Sequence, residues 1–215
     1  MRKLLYVLTL CVAFGTYSFA GFYDENPEFN HNRRWNISVG GTSAPDVKYT
    51  TPLPAGLETS PSMAGAIELD FQLFFNKNFG LGISAASSTF EETLSVGSTY
   101  EELITTASFT SFMFLCRYPL GSHLDVYGSV GLTLAEVTAE YELTTFTPSP
   151  NTLVDSSNSG SKVAPTLGGG VNLYAWHFVF GAFVQYIPKV KITVADDAKV
   201  EARGTLAGGR IGLAF

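Results

Sequence analysis

Taking every second residue of the final segment separates two faces. Over Glu201–Phe215 one set is Thr205, Ala207, Gly209, Ile211, Leu213 and Phe215. The other is Gly204, Leu206, Gly208, Arg210, Gly212 and Ala214. One stripe is apolar and ends in an aromatic; the other is mostly small and carries a cation. A period of two puts the stripes on opposite faces of a β-strand. A strand with one lipid-compatible face, stopping on an aromatic that marks the bilayer edge, predicts a membrane barrel. In hydrocarbon every backbone polar group needs an internal partner, so such a strand requires enough companions to close a ring.

The alternation recurs upstream. It starts near Arg34, with Trp35, Ile37 and Val39 opposite Asn36, Ser38 and Gly40. It is cleanest over 62–75, where Gly65, Ile67, Leu69, Phe71, Leu73 and Phe75 face away from Ala66, Glu68, Asp70, Gln72 and Phe74. Further strands are predicted over 79–89, 105–118, 123–137, 162–174 and 178–187, which with 201–215 makes eight. Over 105–118 both faces are largely apolar, so the pattern leaves that register open. Short connections are predicted at 76–78, 119–122 and 175–177, and long loops at about 42–61, 90–104, 138–161 and 188–198. Asn76-Lys77-Asn78 suits a hairpin because Asn tolerates the left-handed region. The first long loop holds four of the ten prolines, too many for a central strand. Tight turns at one end and long loops at the other are the arrangement of an outer-membrane barrel.

The N-terminus is consistent with export. Arg2 and Lys3 precede an apolar run from Leu4 to Phe14, and Ser18 and Ala20 stand before Gly21. Residues 1–20 therefore read as a cleaved signal peptide, 21–33 as a short periplasmic tail and 34–215 as the barrel. Leu10 before Cys11 argues against lipidation. Without the leader, 11 basic residues face 19 acidic ones, a net charge of −8. Nucleic acid is thereby disfavoured as a partner, since phosphate binding needs a basic face. Cys116 is the one cysteine of the mature chain, which excludes a disulfide framework. Hydrophobic residues make up 46% of the sequence, yet no mature segment approaches the roughly 20-residue run of a membrane helix.

Two arguments favour a bilayer over water. Trp35, Phe75, Phe79, Tyr118, Tyr174, Trp176, Phe178 and Phe215 all fall where strands meet the short-turn rim. Aromatic rings settle at a bilayer's polar–apolar boundary, so they are read as a periplasmic girdle. The second argument is volume. An eight-stranded barrel has room for small side chains and a few paired polar groups, not for the whole Leu, Ile, Val and Phe set. That set is expected to face lipid.

The chain resembles the small eight-stranded outer-membrane barrels of Gram-negative bacteria, the class of the OmpA transmembrane domain, OmpX and OmpW. The likeness is carried by the signal peptide, Tyr127-Gly128-Ser129-Val130-Gly131, Gly168-Gly169-Gly170-Val171 and the terminal Gly212-Leu213-Ala214-Phe215. It implies an outer-membrane location with loops outside and both termini periplasmic, contact with lipid and lipopolysaccharide, and recognition of Phe215 by the barrel-assembly machinery. OmpA proper also has a peptidoglycan-binding domain, and a chain stopping at its barrel would lack that tether.

For function, Glu68, Asp70, Gln72, Gln185 and Arg210 are expected to form a polar network across the lumen, since a buried charge without a partner is costly. The expected role is structural or surface-interacting, as a monomer with a plugged lumen. The alternative is an OmpW-like narrow conduit for small solutes, hydrophobic ones included, which needs an apolar opening in the wall or an apolar upper lumen, and Phe183 and Ile187 point to the latter. Some barrels of this class modify lipid A with a Ser and a His near the outer leaflet. Here His31 lies in the tail and His123 and His177 at the short-turn rim, so no enzyme is expected. Acidic residues in the long loops (Glu91, Glu92, Glu101, Glu102, Glu140, Glu142, Asp155, Asp196 and Asp197) read as solvated loop chemistry, or as divalent-cation or host-surface contacts. No metal-ligand spacing and no cofactor motif appears.

Overall fold

The computed structural model describes residues 35–43, 46–50, 65–96, 99–145, 151–194 and 199–215. The expected leader and tail lie outside the described residues, as do most of the Pro-rich stretch and Asp196 and Asp197. The strands are β1 Trp35–Thr42, β2 Asp46–Tyr49, β3 Ala66–Phe74, β4 Phe79–Val96, β5 Thr99–Pro119, β6 Leu124–Thr145, β7 Asn151–Ala175, β8 Phe178–Thr193 and β9 Lys199–Ala214. Each pairs antiparallel with its neighbours. The ring closes where β1 lies between β3 and β9, from Asn36↔Ala214 to Thr42↔Gly208. β2 takes up the same side of β9 further along, at Asp46↔Arg203 to Tyr49↔Val200. β1 and β2 thus form one stave of an eight-stave, up-and-down barrel. At the seam the first and last aromatics hydrogen-bond to each other: Trp35 N–H donates to Phe215 O at 3.0 Å and Phe215 N–H to Trp35 O at 2.9 Å.

The tight turns follow from local chemistry. Asn76 Oδ1 accepts the backbone N–H groups of Asn78 and Phe79, each at 2.8 Å, which folds the β3–β4 hairpin. Gly121 adopts φ 109° in the β5–β6 turn, a conformation open to glycine. Trp176 takes φ 56° at the β7–β8 turn with its ring 86% exposed, an unusual state for a bulky residue.

The lower, short-turn half has apolar side chains outside and polar ones inside. Ile37, Leu69, Ile83, Phe112, Leu132, Val171, Phe180 and Ile211 are exposed on the outer wall. Asn36, Asp70, Gln72, Ser84, Thr133, Asn172 and Arg210 are buried within. On β5 the register left open by the sequence resolves with Phe112, Phe114 and Tyr118 outward and Ser111, Met113, Leu115 and Arg117 inward.

The upper half departs from expectation in three ways. The stretches 90–104 and 138–161 are largely strand, not loop: β4 runs to Val96, β5 begins at Thr99, β6 continues to Thr145 and β7 starts at Asn151. Their period of two persists with reversed polarity, so Thr106, Ser108, Glu136 and Glu140 point out while Leu103, Ala107, Phe109, Ala135 and Val137 are buried. Consequently part of the large apolar set does not face lipid. It packs inside, above the membrane belt, with Val47, Ile187, Val190, Ile192, Val200 and Leu206 from the facing strands.

The ring of ladders is also interrupted. β3 stops at Ala66 while β4 continues, and the β7–β8 ladder ends at Leu167↔Tyr186. Above these points the ladders run through β4–β5–β6–β7 and through β8–β9–β2 around the apolar cluster, with Gly160 of β7 still against Thr193 of β8. Water can satisfy open sheet edges and hydrocarbon cannot. A register shift between Ile187 and Val190 makes the transition on β8. The extra residue of a bulge reverses facing: Gln185 and Ile187 are buried before it, Val190 and Ile192 after it, and Lys189 and Lys191 are turned out.

Candidate functional site

The lower lumen holds the charged and polar groups in layers set by strand register. Arg210 on β9 crosses the interior. Its Nη1 lies 2.7 Å from Asp70 Oδ1 on β3, with both side chains at most 4% exposed. Its Nη2 donates to the Tyr127 hydroxyl on β6 at 2.7 Å and to Asn172 Oδ1 on β7 at 3.2 Å. The rings of Tyr127 and Phe183 lie 5.4 and 5.6 Å from the guanidinium carbon. Room for the arginine comes from Gly181, opposite it on β8, where a Cβ would stand 2.7 Å from Nε and 2.8 Å from Cγ. One residue thereby ties strands from opposite sides of the ring.

Below this layer Gln72 Oε1 accepts from Asn36 Nδ2 at 3.2 Å and from Asn172 Nδ2 at 3.3 Å, and Asn36 also donates to the Tyr174 hydroxyl at 3.1 Å. Near the rim, Arg117 pairs with Asp125 at 3.4 Å, donates from Nε to Lys77 O at 2.9 Å and lies 3.9 Å over the Phe74 ring. Above the Arg210 layer, Gln185 Nε2 donates to Ser111 Oγ at 2.6 Å, Thr166 Oγ1 at 3.1 Å and Thr133 Oγ1 at 3.3 Å. Higher still, the Tyr49 hydroxyl meets Thr105 Oγ1 at 2.7 Å amid the apolar cluster.

The five residues named for a single network therefore divide. Asp70 and Arg210 form a direct pair, and Gln72 joins Arg210 through Asn172. Gln185 belongs to a separate hydroxyl layer. Glu68 is 4% exposed and sits in register with Gly40, which itself lies opposite Arg210, yet Glu68 Oε2 has no hydrogen-bond partner. The guanidinium pairs with Asp70, and Glu68 is a second buried carboxylate in its register row. Beside them a cavity of about 10 Å³, room for about one water, is bounded by Glu68, Asp70, Gln72, Tyr127, Gln185 and Arg210.

Tyr127, Asn36 and Tyr174 were not assigned to the network from sequence. For Tyr127 a signal existed: it lies opposite Gly170, where a Cβ would come within 2.7 Å of the phenol oxygen, so that glycine clears its path. Of the proposed girdle, Trp35, Phe75, Tyr118, Trp176, Phe178 and Phe215 are between 47 and 86% exposed at the short-turn rim, and Phe79 is half-buried there against Phe114. Tyr174 is a correction. It is 4% exposed and points into the lumen, because Leu173 takes the outward position on β7 and the next residue must face in. His123 and His177 lie in the short turns, their carbonyls accepting from Tyr174 N–H and Ala214 N–H at 2.7 Å.

No family model matches the chain and no curated protein matches it. Several solved structures do. The attachment invasion locus protein Ail of Yersinia pestis, solved with the heparin analogue sucrose octasulfate, is 20% identical over 85% of this chain and 98% of its own, with a TM-score of 0.51. The outer membrane protein OprG of Pseudomonas aeruginosa is 15% identical over 87% and 98%, with a TM-score of 0.45. The N-terminal β-barrel domain of OprF from the same organism is 15% identical over 84% and 97%, with a TM-score of 0.42. With its eight antiparallel staves closed between β1 and β9, the chain has the fold of the small outer-membrane β-barrels.

Proposed function

We propose that this is an outer-membrane barrel with a structural or surface-interaction role, both termini in the periplasm and the upper half outside the cell. The carrying observation is the filled interior: the Arg210–Asp70 layer below, with a water-sized cavity beside it, and the buried apolar cluster above. A lumen packed in this way suits a scaffold that presents a surface better than a channel. The proposal includes export by residues 1–20, folding as a monomer, and presentation of Phe215 to the barrel-assembly machinery. Ail was solved with a sulfated sugar, which makes an anionic surface ligand reasonable to test for this chain as well. Planar-bilayer recording tests the closed lumen. We expect no steady conductance from the wild type, and stable open events would refute the filled-lumen reading.

The conduit reading has one specific observation in its favour, the apolar upper interior that such a path would need. Against it, Ile187, Ile192, Val200 and Leu206 are at most 3% exposed and packed together, so a solute would have to displace them. Liposomes with and without the barrel should take up an apolar dye at equal rates. Faster uptake with the barrel would favour the conduit.

A further inference from the structure

The barrel carries two walls of opposite charge on opposite sides. In the ring order β1, β3, β4, β5, β6, β7, β8, β9, strand β9 stands four staves from β5 in either direction, so the two are diametrically opposed. Above the apolar belt the wall centred on β5 turns out Glu91, Glu102, Glu136, Glu140 and Glu142 and, among the described residues, no Lys or Arg. The face centred on β9 turns out Lys48, Lys189, Lys191, Lys199 and Arg203 against Asp46 and Glu201, an excess of three positive charges. Heights match as well. On β6, Glu136 and Glu140 stand two and six residues above Leu134, the last large apolar side chain turned out on that strand. On β9, Arg203 and Lys199 stand two and six residues above Thr205, which pairs with Tyr186, the last outward aromatic of β8. At ~3.3 Å per residue and a tilt of about 40°, both pairs of charges lie roughly 5 and 15 Å above the belt.

The belt below these walls is complementary in shape. Under the basic face, Gly41 and Gly209 pair across the β1–β9 seam, with Ala182 beside Gly209 on β8 and Ala207 one outward position higher. All four are exposed on the outer wall. A Cβ on Gly41 would meet nothing within 4 Å, and one on Gly209 only Gly181 O at 3.7 Å. The barrel's own packing therefore does not require these glycines, and glycine inside a strand costs stability. Glycine in a strand also marks the close approach of another backbone, and small residues are what let two membrane segments touch. Under the acidic wall the outward row is bulky: Ile83, Phe112 and Leu132 lie side by side on β4, β5 and β6 and are between 43 and 56% exposed. One side of the barrel is flat below its cations; the other is ridged below its carboxylates.

We propose that copies of this chain bind one another side by side in the membrane, the β4–β5–β6 wall of one against the β8–β9–β2 face and small-residue patch of the next. The proposal rests on the outer-membrane reading. A bilayer holds every copy upright at one depth, so the glutamates of one barrel meet the cations of its neighbour at equal height. Each barrel closes its own ring in the belt and folds as a monomer; the contact joins finished barrels. Because the two faces differ, the contact is heterologous, and because they lie half a turn apart it does not close on itself. Copies therefore line up in straight rows rather than in pairs.

The test reads Förster transfer between donor- and acceptor-labelled copies in phosphatidylcholine vesicles. Every copy carries Cys116→Ser and a dye at Ser122→Cys in a short turn. One variant reverses the acidic wall (Glu136→Lys/Glu140→Lys/Glu142→Lys) and another the basic face (Lys48→Glu/Lys191→Glu/Lys199→Glu). The wild type should show transfer above that of a random distribution at the same protein-to-lipid ratio. Each variant alone should fall to the random value, and mixing the two should restore the excess, which a damaged fold would not do. Gly209→Leu, whose side chain enters open space, should fold normally and lower the wild-type excess. Salt at 1 M, where the Debye length is about 3 Å, should lower it too. No excess in the wild type, an excess that survives both reversals, or loss without restoration on mixing overturns the proposal. So does an excess that needs added lipid A and ignores the reversals, which would assign it to a lipid bridge. Heat-modifiable gel migration checks folding. If a triple variant fails to fold, Gly209→Leu and the salt titration decide, and unchanged transfer in both overturns the proposal. A wild type without heat-modifiable migration overturns the outer-membrane reading as well, whereas normal migration with random transfer overturns this proposal alone.

Discussion

On β5, Phe112 and Phe114 point outward and Ser111 and Met113 inward; a few residues along the same strand, Thr106 and Ser108 point outward and Ala107 and Phe109 inward. The backbone is continuous and its period unchanged, yet the polar and apolar faces have exchanged. Below the exchange the outer wall is compatible with hydrocarbon and the interior holds ion pairs. Above it the outer wall carries hydroxyls and glutamates, and the interior is an apolar core. The ladders change at the same place: the lower ring is paired all round, while the regular β7–β8 ladder ends at Leu167↔Tyr186. The difference teaches that solvent decides both features. Lipid requires apolar sides and a closed hydrogen-bond ring, whereas water requires an apolar centre and tolerates edges.

The comparison can be broken most severely at the bulge. Val190→Asp/Ile192→Asp, at the two inward positions just beyond it, would put charge into the apolar cluster, so the upper strands should fail to pack while the belt survives. Limited proteolysis should then cut within 188–204 and leave the lower hairpins protected. Arg210→Ala comes next. It strands Asp70 in the interior and should cost about 3–5 kcal/mol in a urea titration, most of it recovered in Arg210→Met/Asp70→Leu, because a buried pair is expensive to break and not to replace. Glu68→Gln, which removes the second carboxylate beside one guanidinium, should be neutral or stabilising in the same titration. In the upper half Phe109→Ala should cost a similar ~3–5 kcal/mol by opening a cavity in the apolar core. Arginine substitution on the outer wall sharpens the boundary. Ile83→Arg should cost about 2–4 kcal/mol in vesicles, and Thr106→Arg less than about 0.5 kcal/mol.

The smallest expected effect is on the acidic wall. Burial, the hydrogen bond to Glu91 and the charges of Glu91 and Glu142 hold the Glu102 carboxyl above its ordinary 4.5. Its folded form therefore keeps a proton that the unfolded chain has released. The stability from this group is present at and below the ordinary value and is lost as pH rises through the raised one. Denaturation midpoints should fall slightly over that window, and the slope should flatten in Glu102→Gln.

The lower barrel was legible in the sequence because lipid makes the contrast between faces large: Ile67, Leu69 and Phe71 against Glu68, Asp70 and Gln72 can be read in one direction only. The upper strands were not. Their inward positions are often small or ambiguous, such as Thr105 and Ala107, and their outward hydroxyls and glutamates resemble loop chemistry. The bulge on β8 hid a further reversal, since Lys189 and Lys191 occupy the parity that faces inward before it. Gln185 falls outside the Arg210 network because the stagger between strands of a closed barrel sets it at another depth. Its register partner is Leu206, four residues beyond Arg210, and its hydrogen bonds run to Ser111, Thr133 and Thr166 instead.

The exchange of faces along β5 is tested most directly by spin-label accessibility in lipid vesicles, with Cys116 replaced by Ser and single cysteines placed at 106 to 109, 112 and 114. Labels at 112 and 114 should be reached by oxygen dissolved in the hydrocarbon and not by a water-soluble nickel chelate. Those at 106 and 108 should be reached by the chelate, and those at 107 and 109 by neither. Labels at 106 and 108 as lipid-accessible as those at 112 and 114, or water access at 107 and 109, would contradict the account.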